Sequence, residues 1–232
     1  MPRMRMIVAF EKTERVRHIG HLDMQRAMQR ALRRSGLPVR YSQGFNPHAV
    51  LSFASPLPVG VGGAEELMDV ALESDVGEAA FAEALTAALP PSLPLRAVRA
   101  VDDRFPALMA QLRTAEYEAV FLPCEEARAM ARAVPALLGR QSIPAVRRTK
   151  SGEKPCDIRP MLHALAAGET PSEIRFTLRV SLTERETLKP DLLLSTLATQ
   201  AGVALPAYRL RRLRLYGETD HGPKGLLEMC GP

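Results

Sequence analysis

Cysteine is scarce and scattered: Cys124, Cys156 and Cys230 are the only three in 232 residues, and no Cys-x-x-Cys spacing occurs. That excludes a disulfide framework, a zinc ribbon and a local iron–sulfur cradle, and the expected setting is reduced and cytoplasmic. Long apolar runs are missing too. No stretch approaches the ~20 residues that cross a bilayer, and Arg3 and Arg5 are followed only by Met6 to Phe10 before Glu11 and Lys12. Neither a signal peptide nor a membrane partner is expected. The chain also lacks a phosphate-cradling Gly-x-x-x-x-Gly-Lys, a Gly-x-Ser-x-Gly elbow and a His-Glu-x-x-His, so no cofactor and no metal is expected.

What is present is a folding composition, 46% hydrophobic and 25% charged, with enough length for one large domain or two compact ones. The formal charge of +5 hides an asymmetry. Residues 1–50 hold ten Lys or Arg against three acidic residues, a net +7, whereas residues 51–100 hold two against seven, a net −5. If these segments face apart, one end of the molecule is basic and suited to a polyanion; a solvated basic face is the plainer reading.

Hydrophobic periodicity gives the order of elements. Strand 3–12, helix 21–35, extended pieces 39–42 and 49–54, strand 66–74, helix 76–89 and strand 95–101 read as βαββαβ, the ferredoxin-like split order. After a linker at 102–114 the rhythm recurs as strand 115–122, helix 125–138, strand 145–148, a basic turn, strand 173–182, helix 190–201 and strand 208–216. The expected fold is therefore α+β, two ferredoxin-like halves in pseudo-duplication. Residues 1–101 form the first half, 115–218 the second, and 219–232 a tail.

In the first helix, at ~100° per residue, Met24, Ala27, Met28, Ala31 and Leu32 gather on one side, and Arg26, Arg30, Arg33 and Arg34 on the other. Gly20 serves as N-cap, and Asp23 favours the positive helix end. The segment that follows concentrates turn-formers and flat side chains. Gly44 can take a positive φ, Pro47 bars helix at Asn46, and Tyr41, Phe45 and His48 offer ring faces beside Arg40 and Ser42. These are the parts of a site that stacks on bases and holds phosphates. A loop in which Phe45 and Pro47 merely plug the edge of a core is the alternative.

The candidate nucleic-acid-binding set is thus Arg26, Arg30, Arg33, Arg34, Arg40, Tyr41, Ser42, Gly44, Phe45, Asn46 and His48. Two further basic clusters are Arg147-Arg148-Thr149-Lys150 with Lys154, and Arg209, Arg211, Arg212 and Arg214 on the last strand. The strand cluster reads first as a solvated edge and second as a phosphate contact. Its alternation is irregular, with Leu210 on one set and Leu213 and Leu215 on the other, so either a bulge resets the facing or one set is not buried. Acid/base chemistry has only His21 and His48 to draw on; grouping His18, His21, Asp23 and His48 into a metal or catalytic site is the weaker reading beside surface or capping roles. Cys124, before a helix start with no histidine close in sequence, reads as structural.

Gly20-His21-Leu22-Asp23, Arg33-Arg34-Ser35-Gly36-Leu37-Pro38, Tyr41-Ser42-Gln43-Gly44-Phe45-Asn46-Pro47-His48, Ser52-Phe53-Ala54-Ser55-Pro56-Leu57-Pro58-Val59-Gly60 and Asp157-Ile158-Arg159 together resemble the bacterial radical-SAM-linked domain-of-unknown-function family. Its members occur alone or joined to a radical SAM enzyme. The resemblance covers most of the chain, and the family often has Ser where Gly20 stands. It implies a radical SAM protein as partner and no reaction of its own; the chain has no Cys-x-x-x-Cys-x-x-Cys, so radical chemistry would belong to the partner. The element order is also similar to the duplicated ferredoxin-like fold of CRISPR repeat-processing endoribonucleases, an analogy of fold that favours RNA as the polyanion. The expectation is an RNA-binding or substrate-presenting partner of a radical SAM enzyme in RNA modification. A metal-independent ribonuclease using His21 or His48 is second, and a protein–protein adaptor third.

Overall fold

A computed structural model describes residues 4–149 and 152–231. Arg3 and the Lys150-Ser151 tip, expected in the first strand and in a basic loop, lie outside them. The chain is a mixed α/β protein of largely antiparallel sheet and, among the described residues, five α-helices. It divides into two compact units, residues 1–112 with 214–232, and residues 113–213.

The first unit contains β1 (Met4–Lys12), α1 (His21–Arg34), β2 (Leu51–Phe53), β3 (Val61–Ala71), α2 (Glu78–Ala88), β4 (Leu95–Asp102) and the short α3 (Leu108–Gln111). Its strands run in the order β4-β1-β3-β2, every neighbouring pair antiparallel. Met6, Val8 and Phe10, alternate residues of β1, pack with Met24, Met28, Ala31 and Leu32 of α1 and with Phe81 and Leu85 of α2. The apolar stripe of α1 thus meets one face of the sheet and leaves Arg26, Arg30, Arg33 and Arg34 exposed on the other side of the helix. The other face of β1 is buried as well, through Ile7 and Ala9.

The second unit holds β5 (Thr114–Phe121), α4 (Glu125–Leu138), the hairpin β6 (Pro144–Thr149) and β7 (Gly152–Asp157), β8 (Leu162–Glu169), β9 (Ile174–Ser181) and α5 (Pro190–Gln200). Here β5, β9 and β8 are consecutive and antiparallel. Strand β10 (Tyr208–Thr219) carries the chain back into the first unit, where it pairs with β11 (Gly222–Gly225).

Several elements depart from the sequence reading. Strand β8 was not anticipated because its Ala164, Ala166, Ala167 and Gly168 carry no β-branched signature, and alanine favours helix. Strand β3 begins at Val61 and not at Glu66, since Gly62 and Gly63 hide its start. The extended piece at 39–42 makes only isolated bridges, Val39 to Leu72 and Tyr41 to Ala49. The linker contains α3. In β10 the buried residues are Leu210 and Arg212, then Leu215 and Gly217, so the phase changes between Arg212 and Leu215. Arg212, 1% exposed, is therefore no part of a solvated edge.

Candidate nucleic-acid interface

Tyr41 to Ala49 folds into a small self-closed hairpin, and its closure is carried by two side chains. The Ser42 N–H donates to the His48 carbonyl at 2.9 Å. Ser42 Oγ in turn accepts the His48 N–H at 3.1 Å and lies 2.9 Å from His48 Nδ1. The base is sewn to the sheet: the Arg40 N–H donates to Ala71 and the Val50 N–H to Arg40, both at 2.8 Å. Gly44 has φ +128°, a backbone region that side chains rarely adopt, so the tip depends on glycine there.

The turn carries Phe45 outward. Its relative exposure is 105%, against 37% for Tyr41, and Asn46 and Pro47 are also exposed. Phe45 plugs no core. The phenyl ring is an exposed apolar surface with nothing packed on it.

The arginines of α1 differ in their commitments. Arg26 pairs with Asp23 at 3.0 Å, both exposed, which takes Asp23 away from a capping hydrogen bond. Arg34 donates to the Ala88 carbonyl at 2.7 Å and so ties α1 to the end of α2. Arg40 stands 3.8 Å from the Asp103 carboxylate. Arg30 and Arg33 are exposed and have no ion-pair partner among the described residues, so they are the cations most available to a phosphate.

His21 and His48 are placed in different surroundings. The His21 ring meets Phe53 edge-on, with centroids 5.2 Å apart, and lines a small, partly open cavity of ≈ 20 Å³ together with Phe10, Lys12, Ser55, Leu57 and Glu66. His48 is not among the residues around that cavity; its ring is engaged by Ser42. His18 accepts a hydrogen bond from Arg17 Nε at 3.1 Å. Among the described residues, no three His, Cys, Asp or Glu side chains are grouped to hold a metal.

The cavity was missed from sequence. Lys12 is 3% exposed and donates from Nζ to the Arg17 carbonyl at 2.9 Å, which fixes the turn leading into α1. The signal existed: Lys12 shares the alternation set of Met6, Val8 and Phe10 and therefore points inward with them. Asp157-Ile158-Arg159 also has a local explanation. Asp157 Oδ1 accepts the N–H groups of Ile143 at 2.8 Å and of Arg159 at 2.9 Å, and Arg159 Nε donates to the Arg140 carbonyl at 3.0 Å. The two backbone N–H donations to Oδ1, that of Arg159 foremost, hold the Asp157 carboxyl below its ordinary range. The triplet clamps the base of the β6–β7 hairpin.

A family model described as an uncharacterized protein conserved in bacteria, DUF2344, matches residues 5–190. The chain belongs to this family. All the segments that carry the resemblance fall within the DUF2344 match. No curated protein matches the chain. A crystal structure of an unknown protein from Galdieria sulphuraria covers 90% of this chain and 98% of its own at 16% identity, with a TM-score of 0.26, too low to carry an argument. No helix among the described residues is long and apolar enough to cross a membrane.

Proposed function

We propose that this DUF2344 protein binds single-stranded RNA and presents it to a radical SAM enzyme, the partner that the family resemblance implies. The observation that carries the binding step is the fully exposed Phe45 at the tip of a hairpin closed by Ser42 and His48. Base stacking on an aromatic side chain is sequence-tolerant and needs a ring held out from the fold. Arg30 and Arg33, uncommitted on the outer side of α1, supply phosphate contacts, with Arg26 available at the expense of an exposed pair worth little in water. Tyr41 adds a second partly exposed ring next to Arg40.

The same reading takes the fold as two ferredoxin-like halves. It is supported by the antiparallel β4-β1-β3-β2 order of the first unit and by the recurrence of strand, helix, strands, helix, strand in the second, where the β6–β7 hairpin is an insertion. Ferredoxin-like units commonly expose sheets and loops to RNA, which makes the fold compatible with the reading without requiring it.

The test is the salt dependence of RNA affinity. Each phosphate contact contributes ~0.7 to the slope of log affinity against log salt on a single strand. Replacing Arg30 and Arg33 together by Ala should lower that slope by about 1.4. An unchanged slope returns both residues to a solvated surface, and absence of any RNA affinity in the parent protein overturns the reading.

A further inference from the structure

The second unit contains a groove of ≈ 890 Å³ between the β6–β7 hairpin and the start of α5. We propose that it binds a nucleoside monophosphate unit, either a free nucleotide or the 5′-phosphorylated end of an RNA strand. This site is separate from the Phe45 hairpin and does not rest on that reading.

The size comes first. Small-molecule sites occupy roughly 300–1,000 Å³, and this groove is within that range. Its apolar wall is made by Val146, 52% exposed on β6, and by Leu192 and Leu205. A chain that leaves such side chains open on a polar surface gains by covering them, and the flat face of a nucleobase with its ribose edge suits a shallow aliphatic wall.

Charge then selects the other end of the ligand. Three cations line the groove, Arg147, Arg148 and Lys189, against the carboxylates of Glu153 and Asp191. Both carboxylates are already engaged: Glu153 pairs with Arg148 at 3.1 Å, and Asp191 accepts the Tyr208 hydroxyl at 2.6 Å. Lys189 is exposed and has no ion-pair partner among the described residues. Arg147 is held by one donor, Nη2, on the Thr187 carbonyl at 3.0 Å. That anchor fixes the guanidinium while leaving other N–H groups of its fork to receive a phosphate in a defined direction. A fixed arginine, a free lysine and an aliphatic wall are the complement of a phosphate joined to a heterocycle.

Binding is measured by calorimetric titration of the full chain with uridine monophosphate, adenosine monophosphate, uridine and inorganic phosphate, and by titration with short RNAs carrying a 5′-phosphate or a 5′-hydroxyl. The nucleotides should bind more tightly than uridine or phosphate alone, and Lys189→Ala should weaken them at least tenfold with the melting temperature unchanged. Leu192→Ser should weaken the nucleotides while leaving inorganic phosphate nearly as before. A preference for the 5′-phosphorylated RNA over its hydroxyl form, abolished by Lys189→Ala, with free nucleotides weak, assigns the groove to strand ends; tight free nucleotides assign it to the small molecule. If neither nucleotides nor the 5′-phosphate show any dependence on Lys189, the proposal is wrong. Arg30→Ala/Arg33→Ala should leave groove binding intact, so loss of RNA binding at the hairpin unit does not count against it.

Discussion

Replacing Phe45 by Ala separates a recognition ring from a packed one. At 105% relative exposure the ring buries no surface in the free protein, so its removal forfeits no transfer free energy and should change stability by no more than about 0.5 kcal/mol. For a chain of this length 1 kcal/mol moves the melting temperature by about 2–4 °C, and the expected shift is therefore under about 2 °C. Phe81 provides the contrast: it is fully buried in the first unit's core, and Phe81→Ala should cost about 3–5 kcal/mol and lower the melting temperature by roughly 6–20 °C. Affinity should move in the opposite pattern. Loss of one base–aromatic stack costs about 1–3 kcal/mol, or roughly a 5- to 150-fold rise in Kd. Fluorescence anisotropy with a labelled oligouridine, beside thermal unfolding of the same samples, reads both quantities. A Phe45→Ala protein that melts with the parent and binds RNA as tightly as the parent refutes the stacking role.

Three further outcomes are expected. Gly217→Ala should destabilise the protein by about 1–3 kcal/mol in chemical denaturation, because a Cβ there comes within 3.1 Å of the Gln111 backbone carbonyl and must also push aside the Met229 side chain; an unchanged midpoint would show that the C-terminal turn yields freely. The lowered Asp157 pKa gives stability that is present above the ordinary aspartate range and lost as pH falls through the folded value, so Asp157→Asn should flatten the acid side of the melting-temperature profile, and a parallel profile contradicts the hairpin clamp. Tagged protein should co-purify a radical SAM enzyme, with nuclease sensitivity distinguishing RNA bridging from direct contact; a normal level of that enzyme's RNA product in cells lacking this protein excludes the presenting role.

Much of the first unit was legible because its periodicities are strong. The α1 stripe of Met24, Met28, Ala31 and Leu32 is buried as its spacing requires, and the boundaries of α1, like those of α4 in the second unit, fall at or within a residue of those expected. Strand β8 was illegible for a local reason: an alanine-rich segment whose side chains are mostly exposed announces neither a strand period nor a core face, and only pairing with β9 makes it extended. Arg212 shows the opposite limit. A run of four arginines in six residues reads as surface, and tertiary packing alone decides that one of them is buried. The cavity lined by Lys12, His21, Ser55 and Glu66 needed four separate segments to converge, which no local pattern encodes.

The segments that carry the family resemblance divide by what the fold asks of them. Asp157 and Arg159 tie down the base of a hairpin, Ser42 and His48 close another, Gly44 supplies a backbone angle, and His21, Phe53 and Leu57 wall a cavity within the first unit. Folding accounts for each of these, since changing any one removes a hydrogen bond, a backbone torsion suited to glycine or a packed surface. Phe45 has no such account. An exposed phenyl ring stabilises nothing in the free chain and presents apolar surface at the tip of a hydrogen-bonded hairpin, which is why the RNA-binding proposal is centred on it. On that proposal, a hairpin backbone closed by Ser42 and His48 would lower the entropy lost when a base stacks on Phe45. Opening the clasp with Ser42→Ala should therefore weaken RNA binding through Phe45 even though Ser42 need not touch the RNA, and the double variant with Phe45→Ala should bind no worse than Phe45→Ala alone. Additive losses in that cycle would mean that Ser42 contacts the strand itself and that the hairpin's rigidity contributes nothing.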